Sequence, residues 1–329
     1  MFVSRQLCKL TNVNNILQKS FSVNATSSVN KKVTNDTLLI KNIMNGKMTE
    51  TSFKRVKGVH LEAISDFFAS KSDTDVAKKP IIFSLSNIGN VMGLRREVRM
   101  LMSTLAPKLH TIGDSISATE LVDAAYGLNT MLSSDQETTS ILTAMTTLVH
   151  TNLTLNANQF SEIVSCMHQL SSKSPETIGF LKTVLNQFDN SIMTPIEISN
   201  CMYGLHNMST EDDAVITEIL SVVTKQLKNN TDSVDIATIG RSLYGLASIT
   251  ETADNKAIVD ELLITLSSMI QNATATNTRD ACTGVSMALS GLQSLIHSNS
   301  SSVGPVLKQL NSFITQHVNS ENTNGNGLC

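Results

Sequence analysis

Apolar residues recur at three- and four-residue steps along most of the chain, the spacing that places side chains on one face of an α-helix. Between Val215 and Leu227, apolar residues at 215, 219, 222, 223 and 227 follow these steps. Between Ile258 and Ile270, apolar residues at 258, 262, 266, 269 and 270 do the same. The pattern predicts an all-α fold of amphipathic helices.

Some of these segments resemble one another. Five of them align, with a weaker copy, FSLSNIGNVM, before them: ELVDAAYGLNTM from Glu120, EIVSCMHQLSSK from Glu162, EISNCMYGLHNM from Glu197, TIGRSLYGLASI from Thr238 and GVSMALSGLQSL from Gly284. The matched positions Tyr126, His168, Tyr203, Tyr244 and Ser290 are separated by 42, 35, 41 and 46 residues. A recurring segment of this length is the signature of a repeat architecture.

A short polar break follows each aligned segment, and a second apolar helix follows the break. Such breaks lie at 132–137, 171–176, 209–213 and 250–255, and their Ser, Asp and Glu residues suit the cap of the next helix. The repeating unit is therefore predicted to be helix, turn, helix. About six units fit between Pro80 and Val318, and stacking of such pairs would give an α-solenoid.

The repeats also indicate which residues pack neighbouring helices together. A glycine in a helix interior costs about 1 kcal/mol relative to alanine, so its recurrence indicates close approach of the next helix. Tyr and Leu flank it and are expected to pack, although the Tyr rings could alternatively stack on bases. The predicted repeat-packing residues are Tyr126, Gly127, Leu128, Tyr203, Gly204, Leu205, Tyr244, Gly245 and Leu246.

The first 30 residues differ from the rest. They contain Arg5, Lys9 and Lys19, no acidic residue, many Ser and Asn, and scattered apolar residues, which is the composition of an organellar transit peptide. Residues 1–30 are therefore predicted to be a disordered transit peptide, residues 31–78 a helical cap, 79–318 the repeats and 319–329 a disordered tail. The expected location is the mitochondrial matrix, with the plastid as the alternative. No segment is apolar enough to span a membrane.

Composition excludes several kinds of chemistry. The five cysteines form no CxxC pair and have no His at metal-ligand spacing, so no metal site is predicted. Cys166, Cys201 and Cys282 fall in apolar helical segments, where each is expected to be a small core residue. No GxSxG, HExxH or Gly-rich phosphate loop is present, so no catalytic residue, cofactor or small-molecule substrate is predicted.

Charge is divided unevenly along the chain. Residues 1–149 contain 17 basic and 12 acidic residues, whereas residues 150–329 contain 8 basic and 16 acidic residues. Nucleic-acid contacts are therefore expected to be local and N-terminal. The candidate RNA-binding residues are Lys54, Arg55, Lys57, Arg95, Arg96, Arg99 and Lys108. The alternative for these residues is a solvated face or an acidic protein partner.

RNA could also be read base by base, as some helical-repeat proteins do. Such an interface would place one polar side chain per repeat at an equivalent position of the first helix. The alignment nominates Asn129, Ser171, His206 and Ala247. The alanine does not fit a simple code, and an ordinary exposed helix face is the alternative.

The YGLNTM, YGLHNM and YGLASI segments, with the polar break and second helix after them, resemble the roughly 38-residue repeats of octotricopeptide-like organellar proteins of algae and diatoms. The resemblance extends from Pro80 to Val318, and the chain departs from the repeat pattern at His168 and Gln169, at Asn87 and Ile88, and at Ser290. It implies an α-solenoid that acts in organellar RNA metabolism. The alternative function is a protein-binding scaffold or assembly subunit of a mitochondrial complex, such as the ribosome or a respiratory complex.

Overall fold

The computed structural model describes residues 58–72, 76–88, 96–112, 116–149, 153–230, 233–275, 277–297 and 300–323. These residues form an all-α structure, in agreement with the apolar periodicity. No strand occurs among them, although two isolated backbone bridges join Leu155 to Phe188 and Asp235 to Thr274. The predicted transit peptide and most of the predicted cap region lie outside the described residues.

The α-helices are numbered in chain order. They are α1 (Gly58–Ala69), α2 (Lys78–Ile88), α3 (Arg96–His110), α4 (Ala118–Ala125), α5 (Gln136–Leu148), α6 (Ala157–Ser165), α7 (Pro175–Asn186), α8 (Pro195–Gly204), α9 (Ala214–Lys228), α10 (Ile236–Tyr244), α11 (Lys256–Gln271), α12 (Thr278–Gly291), α13 (Gln293–His297) and α14 (Val303–Thr323). A 3₁₀-helix, Tyr126–Thr130, directly follows α4.

The predicted polar breaks lie where helices begin. Ser174 caps α7 by accepting a hydrogen bond from the backbone N–H of Thr177, and Pro175 occupies the first turn. Asp213 caps α9 in the same manner. Thr194 and Glu197 form a reciprocal capping box at the start of α8, which satisfies two backbone N–H groups that the helix leaves unpaired.

Two compact units make up the described structure, and α4 contributes residues to both. In unit 1, α3 packs against α1 and α5, while α2 contacts α3 and the 3₁₀-helix. The core of this unit includes Phe68, Ile81, Leu85, Leu101 and Leu105, whose side chains are completely buried or nearly so. Burial of side chains of this size stabilises the fold by about 1.5–3 kcal/mol each.

Unit 2 contains α6 to α14, and its helices alternate between two sets. The first helices α6, α8, α10 and α12 contact one another in succession, and so do the second helices α7, α9, α11 and α14. Phe160 and Phe188, whose rings stack 4.6 Å apart, Phe180 and Ile219 are among its core residues. Sequence neighbours therefore alternate between the two sets, as the predicted helix-turn-helix unit requires.

The structure departs from the sequence predictions in three places. The first helix containing Tyr126 is not one continuous α-helix, because α4 ends at Ala125 and a 3₁₀-helix carries the YGLNT segment. The final helix continues to Thr323, past the predicted start of the disordered tail at residue 319. Cys166 and Cys201 are buried as predicted, but Cys282 is exposed because it lies on the outer face of α12.

Candidate functional site

The recurring glycines lie where helices approach most closely. A Cβ atom added to Gly204 would be 2.0 Å from the carbonyl oxygen of Val164, and one added to Gly245 would be 1.9 Å from that of Met202. In unit 1, a Cβ atom on Gly127 would be 2.5 Å from the carbonyl oxygen of Leu85. Only a residue without a side chain permits these contacts.

These glycines are not in helix interiors, contrary to the sequence analysis. Gly204 is the last residue of α8, Gly245 follows the last residue of α10, and Gly127 lies in the 3₁₀-helix. The propensity penalty of a mid-helix glycine therefore does not apply here. The leucines that follow them, Leu128, Leu205 and Leu246, are completely buried.

The tyrosines that precede the glycines are partly exposed. In unit 2 they belong to a row of side chains on consecutive first helices and the turns after them. We call this row the ring ladder, which consists of His168, Tyr203, His206, Arg241 and Tyr244. All five side chains are neither fully buried nor fully exposed.

Ring contacts run continuously along the ladder. The ring centroids of His168 and Tyr203 are 4.7 Å apart, and those of Tyr203 and Tyr244 are 6.0 Å apart. His206 stacks almost parallel on Tyr244 with a centroid distance of 3.9 Å. Aromatic pairs at such distances add about 0.5–1.5 kcal/mol beyond the burial of their area.

Arg241 lies over the face of Tyr203, with its guanidinium carbon 4.4 Å from the ring centroid. One of its terminal nitrogens donates to the hydroxyl of Ser165 at 3.4 Å. No carboxylate of the described residues forms an ion pair with Arg241; the described ion pairs of unit 2 involve Lys228 and Lys256 instead. Its partial burial lowers the pKa of Arg241, because burial disfavours the charged form.

Backbone carbonyls fix both imidazoles of the ladder. Nδ1 of His206 donates to the carbonyl oxygen of Tyr244 at 3.1 Å, and Nδ1 of His168 donates to that of Ser165 at 3.3 Å. Burial lowers the pKa of His168, the hydrogen bond to the carbonyl of Ser165 opposes this effect, and nearby His206 and Arg241 act in the same direction as burial. The lowered pKa favours the neutral imidazole, whose Nε2 is an acceptor when Nδ1 carries the proton.

Only part of the predicted basic cluster belongs to the described residues. Lys54, Arg55, Lys57 and Arg95 lie outside the described residues. Arg96 is exposed and lines a groove between α1, α3 and α5 together with Arg99 and Glu137.

The remaining two basic candidates, Arg99 and Lys108, have protein partners. Arg99 pairs with Asp135 at 2.9 Å. Lys108 is 3% exposed, and its ammonium group donates to the carbonyl oxygen of Lys71. Since Leu105 and Leu109 are buried on the same stripe of α3, the register of the helix carries Lys108 inward. The structure therefore does not bring Lys108 together with Arg96 on one basic face.

Sequence reasoning missed Arg241. The basic candidates were chosen because they form clusters in the sequence, whereas Arg241 is an isolated cation in an otherwise uncharged segment. A usable signal was present, since Arg241 is the only basic residue in α6, α8 and α10 and lies one turn before Tyr244. Of the column Asn129, Ser171, His206 and Ala247, the ring ladder includes only His206.

Comparison of the chain with protein-family models, with curated proteins and with solved structures finds no match. Among the described residues, no helix has the length and apolar character needed to cross a bilayer. The same residues contain no group of His, Cys, Asp and Glu side chains placed to hold a metal ion.

Proposed function

We propose that the chain is a non-catalytic α-solenoid that binds RNA in an organelle. The solenoid is supported by unit 2, where each first helix contacts the first helices before and after it and the second helices do the same. Nearest-neighbour contact of this kind is how stacked repeats share a core. Close approach at Gly204 and Gly245 supports the same arrangement.

The ring ladder is the observation that supports RNA as the ligand. It offers partly exposed aromatic and imidazole rings next to a guanidinium that has no carboxylate partner among the described residues. Nucleic acid offers a partner for the rings and for the guanidinium, since bases stack on aromatic rings and phosphates pair with arginine. This chemistry agrees with the role implied by the octotricopeptide-like resemblance.

The direct test is binding of the full chain to a labelled random-sequence RNA pool, followed by fluorescence anisotropy over a salt series. We expect saturable binding that weakens as salt is raised, because phosphate contacts release counterions. A bovine serum albumin sample at equal concentration controls for non-specific signal. Absence of saturable binding at the lowest salt concentration would refute the RNA proposal.

A second candidate function is a protein-binding scaffold. Several large apolar side chains of unit 2 are exposed to solvent, and the three most exposed are Ile192 (82%), Ile196 (64%) and Ile264 (60%). Together with the acidic C-terminal half, they suit a basic protein partner with apolar contacts. Proximity labelling from the full chain in cells tests this candidate: a reproducible protein partner that is lost in an Ile192→Asn, Ile196→Asn variant supports it.

The mitochondrial matrix is the proposed location, and the plastid is the alternative. The proposal depends on the basic, Ser- and Asn-rich leader in residues 1–30. The test is import of the full chain into isolated mitochondria and into isolated plastids. We expect a protease-protected product in mitochondria and loss of import when Arg5, Lys9 and Lys19 are changed to Glu. Protection in plastids alone would select the alternative.

A further inference from the structure

The ring ladder combines two features that none of its residues has alone. Its rings form an unbroken series of contacts across three successive first-helix segments, from His168 through Tyr203 to Tyr244. Its single cation is fixed on one of those rings. Resting on the proposed function, we propose that the ring ladder is a stacking site for the bases of single-stranded RNA, with one phosphate bound by Arg241.

Hydrogen bonds to the backbone hold the imidazoles of the ladder in place. His206 is fixed by the carbonyl of Tyr244, and His168 by that of Ser165, so neither imidazole rotates freely. The amide of Asn207 in turn donates to the carbonyl oxygen of His168 at 2.9 Å, which joins the two turns. A ligand that contacts these rings therefore loses little affinity to ordering of the protein.

The guanidinium of Arg241 is suited to one phosphate. It has five N–H donors, and the hydroxyl of Ser165 is the one hydrogen-bond acceptor found for them among the described residues. Stacking on Tyr203 leaves the edge of the planar group for a second partner. A partly buried cation without a counter-ion is unfavourable, so a bound phosphate restores the solvation that burial removes.

Single strands fit this arrangement and duplexes do not. In an RNA duplex the base faces are already stacked, and only unpaired bases expose them to aromatic side chains. A surface with one cation also predicts a weak salt dependence. For a single strand and one phosphate contact, affinity should fall only about 2.6-fold between about 50 and 200 mM salt. A multi-lysine face would give a much steeper decrease.

The experiment compares the binding of an unstructured CA-repeat RNA to the full chain with the binding of its duplex. The test variants are Arg241→Gln and a Tyr203→Leu, Tyr244→Leu pair, which keeps apolar bulk but removes the rings. The matched control is Lys228→Gln, which removes one positive charge from α9, a second helix of the same unit. Circular dichroism melting checks that each variant is folded.

We expect the single strand to bind at least about tenfold more tightly than the duplex. The double Leu variant should lose about tenfold or more in affinity, in keeping with the contribution of base stacking. Arg241→Gln should weaken binding and remove the salt dependence, whereas Lys228→Gln should match the unmodified chain in both respects. These results together would support the stacking site.

The composition of the chain supplies an independent readout. It contains no Trp and three Tyr, and two of those three are in the ladder. Stacked bases quench tyrosine emission, so binding of the CA-repeat should remove a large part of the intrinsic fluorescence after correction for RNA absorbance. A Tyr126→Leu variant, which retains only the ladder tyrosines, should be quenched by a larger fraction.

The outcomes separate the two proposals. Tight RNA binding that is unaffected by the double Leu variant, or that does not distinguish strand from duplex, would overturn the stacking site and leave RNA association intact. Binding that remains while tyrosine emission is unchanged would have the same consequence. No binding of either RNA at low salt would overturn both proposals.

Discussion

A single added methyl group at Gly245 tests how the repeats of unit 2 pack. In Gly245→Ala the new Cβ atom would lie 1.9 Å from the carbonyl oxygen of Met202 and 2.4 Å from its carbonyl carbon. Both atoms belong to the backbone of α8, so no side-chain rotation can relieve the contact. The helices must therefore separate or the local backbone must distort.

The size of the effect follows from the geometry. Ordinary van der Waals contact begins at about 3.4 Å, so α8 and the end of α10 must separate by about 1.5 Å. Overpacking in a well-packed core costs about 1–3 kcal/mol, and a clash with backbone lies at the upper part of that range. We expect a loss of about 2–3 kcal/mol, which lowers the Tm of a unit of this size by about 4–12 °C.

Gly179→Ala is the matched control. Gly179 lies within α7, and an added Cβ atom would have no neighbour within 4 Å. The alanine should therefore raise stability by up to about 1 kcal/mol through helix propensity. Thermal melting followed by circular dichroism at 222 nm compares the two variants with the unmodified chain. If Gly245→Ala melts no lower than Gly179→Ala, the close approach inferred at Gly245 is refuted.

Other side chains give further predictions. Asn255→Ala should lower the free energy of urea unfolding by about 2 kcal/mol, and unchanged stability would contradict this. The side chain of Asn255 is buried, its Oδ1 accepts a hydrogen bond from the N–H of Thr252, and its Nδ2 donates one to the carbonyl oxygen of Thr250. Burial lowers the pKa of His168, so its contribution to stability is present above the unfolded value of 6.5 and is lost as pH falls below it. His168→Gln should reduce this pH dependence of the unfolding free energy, and an unaltered profile would argue against it. In a Cys8→Ser, Cys329→Ser chain only Cys282 should react quickly with a thiol reagent, since burial raises the pKa of Cys166 to about 12 and that of Cys201 as well; a second fast thiol would contradict the described burial.

The helices and their order could be predicted from the sequence because the signals are local. A polar break such as 171–176 contains its own cap, Ser174, and its own helix-starting proline. The apolar stripe of α9 likewise identifies its buried face, and Ile219 and Val223 are completely buried. These features depend on residues within a few positions of one another, so periodicity and cap chemistry were sufficient.

The ring ladder could not be predicted in this way. Its contacts join residues about 35–41 positions apart, as in Tyr203 and Tyr244, and depend on how far neighbouring first helices rotate against each other. The sequence placed both tyrosines in the repeat motif, but it did not indicate which ring of one repeat would contact which ring of the next. Lys108 is an error of register, because a charge was taken to mean exposure although the residue lies on the apolar stripe of α3.

The repeated Tyr-Gly pair links the packing of unit 2 to its exposed surface. Consecutive helical residues point about 100° apart, so when Gly204 faces the backbone of α6, Tyr203 is directed to the edge of that contact. The same holds for Gly245 and Tyr244 against α8. The close approach that glycine permits also brings the rings of successive helices within 6.0 Å. Packing and the arrangement of the partly exposed rings are therefore not separable at this motif. The repeat with Gly291 after Ser290 keeps the glycine but lacks the ring, so it retains the contact with α10 and ends the ladder.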